Sequence, residues 1–80
     1  LKMHIQIYSK EQCPYCTRAV QLAEKITTAG YATYDKYMLN IDFTREQLLE
    51  KFPNARTFPQ ITIDGMSIGG YTEFEKHING

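Results

Sequence analysis

The most informative feature of this sequence is a pair of cysteines, Cys13 and Cys16. They lie where the hydrophobic pattern changes from that of a strand to that of a helix. Residues Met3 to Tyr8 alternate apolar and polar, which predicts a β-strand with one buried face. Pro14 fits the first position of a following helix, where its missing N–H is not needed, so this helix begins at the cysteines. Its apolar side chains recur at amphipathic spacing: Cys16, Ala19, Val20, Ala23, Ile26 and Thr27.

The middle of the chain predicts a second strand and a short helix. Gly30 is expected at the left-handed position that ends the first helix. Residues Tyr34 to Ile41 alternate again, which indicates a strand. Thr44 and Gln47 have the spacing of a capping box, and the short helix that they open ends at Pro53.

The last part of the chain predicts a hairpin and a final helix. Gln60–Ile63 and Met66–Ile68 are apolar segments, and the Asp-Gly pair between them favours a type I′ turn. Thr72 and Glu75 have the spacing of a second capping box. The element order β-α-β-α-β-β-α, with a right-handed crossover and a hairpin, gives a four-stranded mixed sheet flanked by helices. With C-x-x-C at the start of the first helix, this predicts an α/β protein with the thioredoxin fold.

Length and composition limit what else the chain can be. Its 80 residues suffice for a single domain over residues 1–80, and a 42% hydrophobic content is ordinary for a soluble globular protein. Nine basic and nine acidic residues give a formal net charge of zero, so we expect no nucleic-acid partner. No apolar stretch approaches the roughly 20 residues that span a bilayer, and no secretory signal is recognised, so we expect no membrane association.

Four roles are open to the cysteine pair. A structural disulfide is disfavoured because so short a loop restrains the unfolded chain little. Zinc needs four ligands, and His4 and His77 lack the usual ligand spacing, so we expect no metal. An inert buried pair is disfavoured because the proline at the helix start places the first cysteine in an exposed position. Thiol–disulfide exchange is the interpretation that we favour.

The two sulfurs are predicted to act differently. Cys13 stands at a helix N-terminus, where unpaired backbone N–H groups and the helix dipole favour a thiolate. Cys16 lies one turn further on, within reach of Cys13 and screened by it. We therefore expect Cys13 to be the nucleophile and Cys16 the resolving thiol, with Lys10 adding positive charge nearby.

Three motifs resemble those of the dithiol glutaredoxins. The run Cys-Pro-Tyr-Cys at residues 13–16 is the active-site motif typical of that family. Thr-Phe-Pro at residues 57–59 is similar to its Thr-Val-Pro segment, and residues 69–74 are similar to its Gly-Gly-Tyr-Thr-Asp-Phe segment. The motifs occur in the family's order and spacing, and the resemblance, which is strongest to small bacterial and phage-like members, covers nearly the whole chain.

The resemblance implies a glutathione site beside the cysteines. The proline that matches Pro59 is cis in the family, and its segment offers backbone groups to an extended peptide. The N–H groups at the start of the last helix would bind the γ-glutamyl carboxylate, and the Glu73 side chain would pair with the amino group. Lys10 and Tyr15 match positions by the glycine carboxylate, with Arg56 as a weaker candidate. The implied glutathione-binding residues are Lys10, Tyr15, Thr57, Phe58, Pro59, Gly70, Tyr71, Thr72 and Glu73.

The function that this resemblance implies is glutathione-dependent thiol–disulfide oxidoreduction. Glutathione would be a co-substrate, and the partners would be protein disulfides and glutathionylated proteins, among which ribonucleotide reductase is a usual one. We expect a monomer. A cytoplasmic location is predicted because the reaction needs a glutathione pool and no targeting signal is recognised.

Three alternatives stay open. A thioredoxin-like reductase fed by a flavin reductase shares the fold and would differ at the γ-glutamyl site, Thr72 and Glu73. An iron–sulfur carrier, with Cys13 and external glutathione as ligands, is disfavoured because relatives of that kind more often have a small residue where this chain has Pro14. A pure binding module would use the same groove without thiol chemistry.

Overall fold

The computed structural model describes residues 2–80 and has the predicted order of elements. The elements are β1 (Met3–Ser9), α1 (Pro14–Thr28), β2 (Ala32–Met38), α2 (Arg45–Lys51), β3 (Gln60–Ile63), β4 (Met66–Gly69) and α3 (Tyr71–Asn79). The strands form one sheet in the order β2-β1-β3-β4, with β1 parallel to β2 and antiparallel to β3, and β4 antiparallel to β3. This confirms the four-stranded mixed sheet of the thioredoxin fold. None of the helices within residues 2–80 is long and apolar enough to cross a membrane.

Helices α1 and α3 cover one face of the sheet with a mainly aliphatic core. Ile5 and Ile7 of β1 are completely buried, as the alternating pattern predicts, and so is Phe74 of α3. Burying a side chain of this size contributes about 1.5–3 kcal/mol. The core holds α1, and with it the cysteines, firmly against the sheet. Its buried members are Ile5, Ile7, Ala19, Ala23, Ala32, Ile61, Ile63 and Phe74.

The opposite face of the sheet carries an aromatic cluster around Tyr8. Tyr8 lies near the end of β1 that precedes the cysteines. The Tyr8 ring lies 5.1 Å from the Tyr37 ring, 5.3 Å from that of Phe43 and 5.2 Å from that of Phe52. The contacts with Phe43 and Phe52 are edge-to-face, and such contacts stabilise aromatic packing beyond the area that they bury. Desolvation, followed by the nearby Tyr37, raises the pKa of Tyr8 above its ordinary value. The short helix α2 closes this cluster with Leu48.

The local signals at helix and hairpin ends are confirmed. Gly30 has a φ of +91°, and the N–H groups of Gly30 and Tyr31 donate to carbonyls of the last turn of α1. Thr44 Oγ1 accepts from the Gln47 N–H at 3.1 Å, and Gln47 Oε1 accepts from the Thr44 N–H at 2.8 Å. The Asp-Gly pair at residues 64–65 has positive φ at both positions, as a type I′ turn requires.

The predicted bounds of the second strand are wrong. We expected residues 34–41, whereas β2 spans Ala32–Met38 and begins opposite Met3. After Met38 the chain turns, because the Asp42 carboxylate accepts from the Met38 N–H at 2.8 Å and Asn40 takes a φ of +66°. Ile41, expected to face the core, is 73% exposed. Hydrogen bonding of the turn therefore outweighs the alternating pattern here.

The prediction of a second capping box, between Thr72 and Glu75, is also wrong. Helix α3 begins at Tyr71, with Gly70 as its N-cap, so Thr72 lies inside the first turn. The residue that reaches back is Glu73, whose Oε1 accepts from the Gly70 N–H at 2.8 Å. Since β4 ends at Gly69, the helix starts at once and leaves no room for a threonine cap.

Candidate active site

The two cysteines form a disulfide at the N-terminus of α1, with their Cα atoms 5.2 Å apart. Cys13 is the N-cap of the helix, and its Sγ accepts from the Cys16 N–H at 3.2 Å. The two side chains differ in access, since Cys13 is half-buried and Cys16 is only 4% exposed. A thiol arriving from solution therefore meets Cys13 first.

The segment before β3 lies against the disulfide. The Phe58–Pro59 peptide bond is cis, and the Phe58 carbonyl oxygen is 3.9 Å from Cys13 Sγ. Gln60, which the sequence analysis did not single out, is buried and donates from Nε2 to the Thr57 carbonyl at 2.8 Å. The only sequence signal for this residue is its place as a polar side chain at the start of an apolar strand. The hydrogen bond holds the Thr57–Pro59 backbone beside the sulfur.

The start of α3 packs against the same segment. Gly69 has a φ of +108°, and a Cβ there would lie 3.0 Å from Glu73 Cγ. A Cβ on Gly70 would lie 3.5 Å from the Pro59 carbonyl oxygen. The first N–H groups of a helix have no intrahelical partner, so the first turn of α3 offers donors next to the Pro59 segment.

Aromatic rings border the site on the side of α3. The Tyr15 and Tyr71 rings lie 5.9 Å apart, and the Arg18 guanidinium lies 5.3 Å from the Tyr15 ring centre. The Tyr71 hydroxyl donates to Glu75 Oε2 at 3.2 Å. Desolvation, followed by the hydrogen bond to Glu75, raises the pKa of Tyr71, so this phenol stays neutral at physiological pH. The two rings make a wall that a bound peptide can lie against.

Lys10 and Phe58 meet on the other border of the disulfide. The Lys10 ammonium lies 5.6 Å from the centre of the Phe58 ring, within range of a cation–π interaction. The Phe58 ring is in turn stacked on Phe43 of the aromatic cluster, with 6.4 Å between ring centres. Phe58 stands where the family that the sequence resembles usually has Val. Its ring contacts both Phe43 of the aromatic cluster and the Lys10 ammonium near the cysteines.

A pocket of about 540 Å³ brings together several predicted residues that are distant in sequence. Thr57, Gly70 and Glu73 line it, together with the weaker candidate Arg56 and with Lys51, which the sequence analysis did not single out. Thr72 does not line this pocket and borders a separate depression near the end of α3.

A second pocket, of about 620 Å³, lies beside the disulfide. Lys10, Cys13 and Cys16 line it together with residues that the sequence analysis did not consider, among them Ser9, Lys36 and Met38. Ser9 could have been noticed, because it is the one polar residue in the alternating series after Ile5 and Ile7. Lys36 and Met38 carried no such signal, since their proximity depends on the pairing of β2 with β1.

The histidines lie away from the cysteines. His4, near the start of β1, contacts Asp35 at 3.1 Å through Nε2 and Thr33 at 2.6 Å through Nδ1. His77 is exposed in the last turn of α3. Within residues 2–80 there is no group of three or more His, Cys, Asp or Glu side chains that could hold a metal ion.

Comparison with known proteins shows the family of the chain. The glutaredoxin family model matches residues 5–68. Glutaredoxin 1 of Escherichia coli K12 is 37% identical over 75 residues, which covers 90% of this chain and 88% of that protein. The structure of reduced E. coli glutaredoxin matches with a TM-score of 0.83 at 34% identity, over 95% of this chain and 93% of that one. A buckwheat glutaredoxin–glutathione complex matches with a TM-score of 0.73 at 30% identity, over 95% of this chain and 69% of that one.

The fold and the dithiol pair define a thioredoxin-fold protein with a redox-active disulfide. Within that class, the chain belongs to the glutaredoxin family, whose members are glutathione-dependent thiol–disulfide oxidoreductases.

Proposed function

We propose that this chain reduces both glutathione mixed disulfides and protein disulfides, with Cys13 as the nucleophile and Cys16 as the resolving thiol. The observation that carries this assignment is the difference in access between the two sulfurs. Cys13 is half-buried and its Sγ accepts a backbone N–H at the helix start, whereas Cys16 is 4% exposed. A helix N-terminus favours the thiolate, which is the attacking species.

With a glutathione mixed disulfide, Cys13 alone is required. Its thiolate attacks the glutathione sulfur, the protein–glutathione S–S bond breaks, and the substrate thiol leaves with the bonding electrons and takes up a proton. A second glutathione thiolate then attacks the sulfur of the glutathione held on Cys13. This step releases glutathione disulfide and restores the Cys13 thiolate.

With a protein disulfide, both cysteines take part. Cys13 attacks one sulfur of the substrate and forms a mixed disulfide, and Cys16 then attacks Cys13 and releases the second substrate thiol. The product is the Cys13–Cys16 disulfide. Two glutathione molecules reduce it. Glutaredoxin potentials of roughly −200 to −230 mV lie near that of the cytosolic glutathione pool, so the couple runs in either direction.

The proposed glutathione site lies between the Thr57–Pro59 segment and the start of α3. The complex of the buckwheat relative with glutathione supports glutathione as the ligand. Backbone groups of the segment would pair with the cysteinyl part of glutathione, and the free N–H groups of α3 would bind the γ-glutamyl carboxylate. Glu73 would pair with the amino group. The site residues that we propose are Lys10, Tyr15, Thr57, Phe58, Pro59, Gly70, Tyr71, Thr72 and Glu73.

Cysteine variants test the two roles. Cys16→Ser keeps Cys13 and should retain most activity on a small glutathione mixed disulfide, while it loses most reduction of a protein disulfide. Cys13→Ser should lose both activities. The measurement is glutathione consumption coupled to glutathione reductase, with a protein disulfide followed in parallel. If Cys16→Ser loses both activities, the role assignment is wrong.

The source of electrons is tested with the unmodified protein. Turnover with glutathione and glutathione reductase is expected, and turnover with thioredoxin reductase alone is not. Ribonucleotide reductase belongs among the protein substrates to assay. We also propose that the chain acts as a monomer in the cytoplasm, where glutathione is abundant, and sedimentation of the purified protein checks the oligomeric state.

A further inference from the structure

Ser9, the last residue of β1, carries a buried hydroxyl group without a partner. The residue is only 2% exposed, and in this disulfide form its Oγ makes no hydrogen bond to any group among residues 2–80. Buried polar side chains in folded proteins nearly always have a hydrogen-bond partner. An unpaired hydroxyl next to a reactive group therefore calls for a functional explanation.

The fold places this hydroxyl on the same side of the sheet as Cys16. Ser9 continues the alternating series of Ile5 and Ile7, whose side chains are buried under α1. Cys16 is buried on the inner face of the first turn of α1. Ser9 and Cys16 also line the same pocket, the one of about 620 Å³. Ser9 and Cys16 are thus both buried between β1 and the start of α1, at the border of the same open pocket beside the disulfide.

We propose that the Ser9 hydroxyl becomes the hydrogen-bond partner of the Cys16 sulfur when the disulfide opens. A disulfide sulfur has no proton to donate and is a weak acceptor, whereas a thiolate accepts strongly and a thiol both donates and accepts. The hydroxyl is then unpaired in the oxidised protein and paired in the reduced one. The proposal deepens the proposed function, because it gives the resolving thiol a partner, but its effect on the redox equilibrium does not depend on which cysteine is the nucleophile.

A glutathione thiolate attacks Cys13 Sγ, the bond between Cys13 and Cys16 breaks, and its electron pair stays on Cys16. The Ser9 O–H donates to this new thiolate, which then takes a proton from solvent. A second glutathione thiolate attacks the glutathione sulfur on Cys13, so that the disulfide and two glutathione thiols become two protein thiols and glutathione disulfide.

The proposal predicts that Ser9 stabilises the reduced protein relative to the oxidised one. Removing the hydroxyl in Ser9→Ala should raise the equilibrium constant for oxidation by glutathione disulfide by about fivefold, the range expected for one hydrogen bond. At 29.6 mV per tenfold change, this corresponds to a potential about 20 mV more negative.

Three variants make the measurement specific. Each is equilibrated in buffers of defined ratios of glutathione to glutathione disulfide, and the reduced fraction is read after acid trapping. Ser9→Thr keeps a hydroxyl and should stay within about twofold of the unmodified protein. Thr27→Val is the matched control, because Thr27 Oγ1 is also buried without a partner but lies near the far end of α1. It should leave the equilibrium unchanged.

Unfolding in urea gives an independent test. Ser9→Ala should raise the unfolding constant of the reduced protein by the same factor of about five, and should not raise that of the oxidised protein. A purely structural role would destabilise both states equally. The proposal is overturned if Ser9→Ala leaves the glutathione equilibrium within twofold of the unmodified protein, or if both redox states lose the same stability.

Discussion

The two sides of the disulfide are built in different ways. On one side, here called the Phe58 side, residues 57–59 and 69–73 meet Cys13 and Tyr15. The Phe58 carbonyl lies beside a sulfur that is 45 positions away in the chain. On the other, the Ser9 side, the pocket is lined mostly by residues 9–21, and only Lys36 and Met38 come from elsewhere. Lys10 belongs to both sides, because it lines this pocket and also contacts the Phe58 ring.

Because of this difference, we expect one side to control glutathione binding and the other to control the redox equilibrium. The Phe58 side has backbone donors, a wall of two rings that come from different helices, and the Glu73 carboxylate held by the Gly70 N–H, so changes there should alter glutathione binding. The Ser9 side follows from the local register of β1 and α1 and borders the buried Cys16, so changes there should alter the redox equilibrium instead. Variants on each side test this separation.

Gly69→Ala should have the largest effect. Its Cβ would press on Glu73 Cγ and displace the carboxylate from the Gly70 N–H. The displaced carboxylate would also lose its proposed pairing with the glutathione amino group. A hydrogen bond between charged groups contributes about 1.5–3 kcal/mol, so kcat/KM for glutathione should fall about tenfold or more. Gly65→Ala is the matched control, because Gly65 also has a positive φ but a Cβ there meets nothing within 4 Å. Equal losses of kcat/KM in the two variants would contradict the role of Glu73.

Phe58→Val should have a smaller effect on the same side. It removes the ring beside the Lys10 ammonium, and an exposed cation–π interaction contributes about 0.5–1 kcal/mol. The KM for glutathione should rise about threefold with little change in kcat. In a double-mutant cycle with Lys10→Met, the two changes should be less than additive. Strict additivity would show that Phe58 does not act through Lys10.

Tyr71→Phe keeps the ring wall and should change the KM for glutathione by less than about twofold, as expected for an exposed hydroxyl. The distinguishing effect of Tyr71→Phe is on the pH dependence of stability. Because the pKa of Tyr71 is raised, its contribution to stability is present below the ordinary tyrosine pKa of 10.0 and is lost as pH rises through the raised value. Urea midpoints of the two proteins should differ at pH 8 and converge at strongly alkaline pH. A difference that persists there would refute this account.

Lys36→Gln, on the Ser9 side, should leave the KM for glutathione unchanged within error. Lys36 is exposed at the rim of the 620 Å³ pocket, and surface substitutions of this kind have small effects. The glutathione-coupled assay used for Phe58→Val provides the comparison. A rise in KM as large as that for Phe58→Val would mean that glutathione contacts both sides, and the separation would fail.

Much of the fold follows from local patterns in the sequence. The alternation in β1, the amphipathic spacing of α1, the Thr44 capping box and the Asp-Gly turn each depend on neighbours within a few residues, and the structure confirms all four. The errors occur where local signals compete. Asp42 turns the chain before the predicted end of β2, and Glu73 caps α3 in place of the predicted Thr72 box.

The position of the cysteine pair at the start of a helix can be predicted from the sequence, because capping and helical periodicity are local properties of the backbone. The surroundings of that pair depend on the packing of the whole domain. The contact of Cys13 with the Phe58 carbonyl and the pairing of the Tyr15 and Tyr71 rings arise from packing of segments far apart in the chain. The burial of the Ser9 hydroxyl arises from the packing of α1 on β1. Such contacts depend on the order of strands and the seating of helices on the sheet, for which no short stretch of residues carries a signal.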